Sequence, residues 1–142
     1  MKQTMTLAGI LLAFALSLAS CGGNSTTEKA RIAELEEQLS RQFIGTYKVV
    51  DKYNTTWILT LNRDETMTVN EEGSSEVIYG SWSDYTYGVP SFSFGNKIPY
   101  LEFPSGRESI NCGILSDDYL YPSSTEYKAK NPKYRLPITK IK

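Results

Sequence analysis

The feature that most constrains this chain is a change of hydrophobic period at Gly45. Before that glycine, apolar residues recur every three or four positions, as on one face of a helix. After it they alternate, as on one face of a strand. On the helical side, Ile32, Leu35, Leu39 and Phe43 form a single stripe in a segment rich in Ala, Leu, Glu, Arg and Gln, all good helix formers. Ser25-Thr26-Thr27-Glu28 has the spacing of a capping box, and Glu37 and Arg41 form a favourably oriented i,i+4 pair. These signals predict a helix over about 26–42.

From Gly45 onward, Tyr47 and Val49 flank Lys48, Trp57, Leu59 and Leu61 alternate with Ile58 and Thr60, and Met67 and Val69 alternate with threonines. Further short segments follow at 77–85, 92–94, 100–103, 109–114, 118–121 and 134–141, with Gly, Asn, Asp, Ser or Pro at most joins. No second helical pattern is legible. Eight or nine strands at intervals of roughly 8–12 residues predict an all-β fold, an antiparallel barrel or a sandwich, preceded by one short α-helix.

The 142 residues divide further at the N-terminus. Lys2 is followed by an apolar run from Leu7 to Leu18 and then by small residues up to Cys21, the layout of a secretory signal peptide. The run would span about 18 Å as a helix, short of the roughly 30 Å hydrocarbon core of a bilayer. Leu18-Ala19-Ser20-Cys21 resembles the lipobox of bacterial lipoproteins. The resemblance implies cleavage before Cys21, lipid on its sulfur and amino group, and anchoring to a membrane in the cell envelope; two acyl chains already suffice for a stable anchor. Gly22, by the sorting pattern of such lipoproteins, implies the outer membrane. The absence of an acidic run in Gly22-Gly23-Asn24-Ser25-Thr26-Thr27 favours a periplasm-facing placement over surface display. The expected organisation is a signal peptide at 1–20, a lipid-anchored tether and helix at 21–43, and a β-barrel domain at 44–142.

Composition removes whole classes of chemistry. There is no histidine, which excludes Ser-His-Asp and Cys-His nucleophilic machinery and imidazole-based zinc sites. The 15 basic and 16 acidic residues are too evenly balanced for a nucleic-acid binder. The acidic pairs Asp64-Glu65, Glu71-Glu72 and Asp117-Asp118 fall at expected turns, where carboxylates are solvated rather than set across a cleft. Asp117-Asp118 also lacks the ligand spacing of a calcium loop. No phosphate-binding glycine loop is present. The expectation is a protein without catalytic residues, metal or cofactor. With Cys21 lipidated, Cys112 stands alone, and the alternation Ile110-x-Cys112-x-Ile114 reads it as a small buried hydrophobe.

Several features resemble the small lipocalin-like lipoproteins of the Bacteroidota envelope. They are Gly45-Thr46-Tyr47 after a short helix, the tryptophan-bearing run Trp57-Ile58-Leu59-Thr60-Leu61, Gly80-Ser81-Trp82, and the closing Leu136-x-Ile138-x-Lys140-Ile141. The resemblance implies a lipocalin-like barrel that binds an apolar or glycan ligand, or an envelope protein. Its candidate ligand-binding residues are Tyr47, Trp57, Trp82 and Phe92 in the strands, and Tyr85 and Tyr87 in the connection Asp84 to Pro90. Amphipathic aromatics in such a loop stack on sugars or anchor partners, and they equally serve to cover a barrel mouth. An eight-stranded barrel can also be filled by its own side chains. The alternative is therefore an envelope inhibitor or structural partner that uses the outer loops of a filled barrel. Ser105-Gly106-Arg107 resembles, in two residues, the Ser-Gly loop of bacterial lipoprotein lysozyme inhibitors.

Two features carry paired readings. The helix stripe either packs on the adjacent domain, the favoured reading, or drives self-association through 26–42, for which two and a half heptads are short. The basic run from Lys128 to Lys142 either orients the protein on an anionic surface or, as favoured, is a solvated loop at 123–133 followed by a charged edge strand.

Overall fold

The computed structural model describes residues 25–84 and 89–142. The chain divides into a helical unit that ends at Gln38 and a barrel unit from Leu39 to Lys142. Helix α1, Ser25–Arg41, carries Glu28 in its first turn and Arg41 in its last, each matched to the helix dipole. Its stripe residues Ile32, Leu35 and Leu39 are exposed. No helix among the described residues is long and apolar enough to cross a membrane.

Among the described residues the barrel unit has ten strands: β1 Gly45–Val50, β2 Thr56–Leu61, β3 Thr66–Glu71, β4 Ile78–Asp84, β5 Pro90–Phe94, β6 Tyr100–Phe103, β7 Gly106–Ser109, β8 Ile114–Ser116, β9 Tyr119–Tyr121 and β10 Leu136–Lys140. Eight of them close into an antiparallel, lipocalin-like barrel in the order β1-β10-β9-β8-β5-β4-β3-β2, and β6 and β7 form a separate hairpin. Closure runs through Tyr47, Lys48 and Val49, which pair with Lys140, Thr139 and Ile138. The last strand is therefore not the charged edge expected from the sequence. It is paired on both sides, by β1 and β9, with Lys140 at the rim and Thr139 on the outer face.

Alternation fixes which side chains fill the interior. Tyr47 and Val49, Leu59 and Leu61, Met67 and Val69, Trp82, Phe92 and Phe94, Leu115, Leu120 and Leu136 all belong to one buried cluster. The β6–β7 hairpin leaves the barrel wall and adds Leu101, Phe103 and nearby Ile110 to the same cluster, each fully buried. Backbone bonds from Lys52 N–H to Glu102 O (2.8 Å) and Ser105 N–H to Lys133 O (2.9 Å) fasten it. The hairpin thus plugs the end at which β1 runs into β2. A barrel of eight strands is just wide enough for side chains, and here they occupy it.

Three sequence expectations are corrected. The stretch 109–114 is not one strand, because Gly113 N–H bonds back to Ile110 O and forms a turn. Ile110 and Ile114 are buried as the alternation predicts, but Cys112 sits in the turn between them and is exposed. The segment 123–133 is not simply a solvated loop. It contains helix α2, Ser124–Ala129, and a 3-10 turn, Pro132–Tyr134. Ser123 caps α2 by accepting from Glu126 N–H, and Lys130 ends it in the left-handed conformation. α2 presents Tyr127 to the outside of β9, where its ring meets Tyr121 edge-to-face at 5.4 Å. Val89, Ile114 and Tyr121 form a second small core there.

Gly80 shows how tightly the interior is packed. It lies opposite Phe94 in the β4–β5 ladder, and a Cβ at this position would stand 2.5 Å from the Phe94 ring. Gly80→Ala should cost about 1–3 kcal/mol by overpacking, measured by chemical denaturation. Pairing it with Phe94→Leu should recover part of that loss, since contacting residues couple. Simple additivity of the two changes would contradict the packing described.

Candidate functional site at the barrel mouth

The end opposite the plug is built differently. Here β1 begins and β10 ends, and the β2–β3 and β8–β9 turns project. A cleft of about 400 Å³ opens at this mouth, lined by Gln42, Phe43, Tyr47, Leu115, Ser116, Asp117, Asp118, Ile138 and Lys140. The volume falls within the range of small-ligand sites, roughly 300–1,000 Å³.

Each lining residue has a structural reason to be there. Tyr47 faces Lys140 across the β1–β10 ladder, and Ile138 faces Val49, so Tyr47, Ile138 and Lys140 share the inner face. Leu115 pairs with Leu120 and points inward beside them. The turn from Arg41 into β1 sets Phe43 over this layer, and the Tyr47 hydroxyl donates to Phe43 O at 2.7 Å. Burial pushes the Tyr47 phenol up to about 12. Lys140, an inward-facing lysine at a rim, reaches over the Tyr47 ring, 5.6 Å from its centroid, and donates to Gln42 O at 2.9 Å. The cleft is therefore an apolar floor of Phe43, Tyr47, Leu115 and Ile138 under a polar rim.

The other side of the rim is the β8–β9 turn. Asp117 and Asp118 both have positive φ, 50° and 63°. A two-residue hairpin with left-handed conformation at both centres matches the twist of its strands. Aspartate tolerates that conformation better than most residues. Asp117 is held by Lys130, at 3.2 Å, and this carboxylate keeps the lysine protonated to higher pH than usual. Asp118 accepts at its backbone oxygen from Ile138 N–H, while its carboxylate has no cationic partner among the described residues. The rim thus offers one carboxylate, one ammonium already leaning on a carbonyl, and an amide, while the Ser116 hydroxyl is directed at the Tyr127 hydroxyl at 3.4 Å.

The structure does not gather the sequence-predicted residues into one site. Tyr47 lines the cleft. Trp82 is buried inside the barrel, its indole N–H donating to Asn62 O at 2.8 Å, and Phe92 is buried beside it in the β4–β5 ladder. Trp57 packs on the core near the plugged end, its indole N–H directed at Asp51 Oδ2 at 3.4 Å. Tyr85, Tyr87 and Cys21 lie outside the described residues. The lining residues that sequence reasoning missed are Gln42, Phe43, Leu115, Ser116, Asp117, Asp118, Ile138 and Lys140. One signal was available, since Leu136-x-Ile138-x-Lys140 sets a lysine on the apolar face of a strand.

Comparison of the chain with protein-family models, with curated proteins and with solved structures gives no match.

The raised Tyr47 pKa has a definite sign. The neutral phenol is favoured in the fold, so its contribution is fully present below about pH 10, the unfolded value, and is lost as pH climbs toward 12. Tyr47→Phe should therefore flatten the loss of stability across that window in alkaline denaturation followed by circular dichroism. At neutral pH it should cost only about 1 kcal/mol for the missing hydrogen bond. Superimposable alkaline profiles for the two proteins would rule this out.

Proposed function

We propose that this chain is a lipid-anchored protein of the bacterial cell envelope whose barrel binds without catalysing. Its ligand is an apolar or glycan molecule, or an envelope protein, received at the barrel mouth. The observation that carries this reading is the contrast between the two ends. One is plugged by Leu101, Phe103 and Ile110, and the other opens as an apolar-floored cleft with charged edges. Because the interior is filled, a ligand enters end-on and is only partly enclosed. An apolar group would rest against Phe43, Tyr47, Leu115 and Ile138, and polar atoms would meet Gln42, Asp118 and Lys140. Recognition by a few buried apolar contacts inside a polar rim is how most binding surfaces concentrate their energy.

The same filled interior favours a second reading, an envelope inhibitor or structural partner that acts through outer loops. The two differ in where the partner touches. Photo-crosslinking residues placed at Gln42 and Asp118 should capture a ligand in intact cells, and Ile138→Trp, which fills the cleft, should abolish the capture. Crosslinks that form only from far-end positions such as Glu72 would favour the second reading and sink the first.

The lipid anchor rests on the Leu18-Ala19-Ser20-Cys21 pattern. Labelled palmitate should enter the protein and be lost in Cys21→Ala, which should also release it from the membrane fraction. Persistent labelling of that variant would contradict the anchor. The expected placement is the outer membrane, facing the periplasm.

A further inference from the structure

At the plugged end, away from the mouth, two tyrosine rings face solvent beside two cations. Tyr53 lies in the β1–β2 turn and is 68% exposed, and Tyr100 lies on the outward side of β6 and is 49% exposed. Lys52 Nζ stands 5.5 Å from the Tyr53 ring centroid, and the Arg107 guanidinium stands 5.2 Å from that of Tyr100. Neither cation has a carboxylate partner among the described residues, whereas Lys48, Lys97 and Lys130 are paired with Glu72, Glu76 and Asp117.

The backbone that carries Lys52 and Tyr53 is fixed by hydrogen bonds. Buried Asp51 accepts from Tyr53 N–H and Thr55 N–H, both at 2.9 Å, and so fixes the turn that carries Lys52 and Tyr53. Lys52 N–H in turn bonds to Glu102 O, joining this turn to β6. Through that single bond Tyr53, one residue after Lys52, and Tyr100, two residues before Glu102, lie on adjoining segments of this end. Across the β6–β7 ladder Ser109 faces Tyr100, adding a hydroxyl, and Glu102 faces Arg107 with no ion pair between them, so an incoming carboxylate must outcompete Glu102 for the guanidinium.

Exposed tyrosines supply flat apolar area at low entropic cost, since only two side-chain torsions are ordered, while keeping a hydroxyl for hydrogen bonding. A sugar ring presents the matching chemistry, a C–H face ringed by hydroxyls. The two cations add a requirement that a neutral sugar would leave unused, since a guanidinium matches a carboxylate in a bidentate manner and an ammonium meets it as a point charge. We propose that this face binds an acidic polysaccharide. Its sugar rings stack on Tyr53 and Tyr100, and its uronate carboxylates pair with Lys52 and Arg107. The site is separate from the mouth cleft, and neither depends on the other.

The test is calorimetric titration of the full chain, in detergent micelles, with a galacturonic acid hexamer and with maltohexaose of the same length. The uronate should bind and weaken with added salt, and maltohexaose should bind at least about tenfold less tightly, a difference of roughly 1.4 kcal/mol. Lys52→Gln and Arg107→Gln should each weaken uronate binding several-fold, and Tyr53→Ala with Tyr100→Ala should remove it. All four side chains are on the surface, so an unchanged thermal midpoint will separate lost binding from lost fold. Absence of uronate binding, equal affinity for maltohexaose, or full binding by the double tyrosine variant would overturn the proposal.

Discussion

The pairing of β1 with β10 is the interaction on which the rest of the structure depends. It joins Tyr47–Val49 to Ile138–Lys140 and turns a meander of strands into a closed barrel. Without it, the strand sides of Gly45–Val50 and Leu136–Lys140 would be unpaired edges, and each unsatisfied peptide group there would need water or another chain. With it, every second residue along eight strands is committed to the interior. The same register sets Tyr47, Ile138 and Lys140 on one face at the mouth, so the closure that makes the barrel also makes the floor and rim of the cleft.

Filling follows from closure. The wall carries large residues, Trp82, Phe92 and Phe94 among them, and lets them interpenetrate by leaving Gly80 without a side chain opposite Phe94. The β6–β7 hairpin then spends part of a short chain on plugging one end. A protein that enclosed its ligand deep in the barrel would need that volume empty. This one has given it to its own core, and its two candidate recognition surfaces lie at the ends, where polar and apolar groups can be presented together.

Much of this was legible in the sequence because period-2 alternation is a direct record of which face is dry. Val49, Leu59, Met67 and Val69 are buried as the pattern requires, and the period change at Gly45 separates helix from barrel. The failures have identifiable causes. Ile110 and Ile114 are both buried, yet they face different cores across a turn, so alternation alone placed Cys112 on the wrong side. Helix α2 is six residues long, too short for a stripe, and its Ser123-x-x-Glu126 start was the one available sign. The aromatic residues were read as a binding set because large aromatics serve both cores and ligands. Only three-dimensional closure decides that Trp82 and Phe92 fill the barrel while Tyr53 and Tyr100 stay outside. The mouth itself assembles residues from 42 to 140, a distance along the chain that no local pattern spans.

The closing pair also governs how the protein reaches its fold. Contacts between residues some ninety positions apart must wait for a large loop to close, and folds dominated by such contacts form slowly. Until Leu136–Lys140 docks, the strands before it have one open flank, and the apolar face of Tyr47 and Val49 has no lid. A partly made barrel of this kind is prone to pair with its neighbours. The interval between making β1 and capturing it with β10 is thus the period of greatest hazard in the life of the molecule.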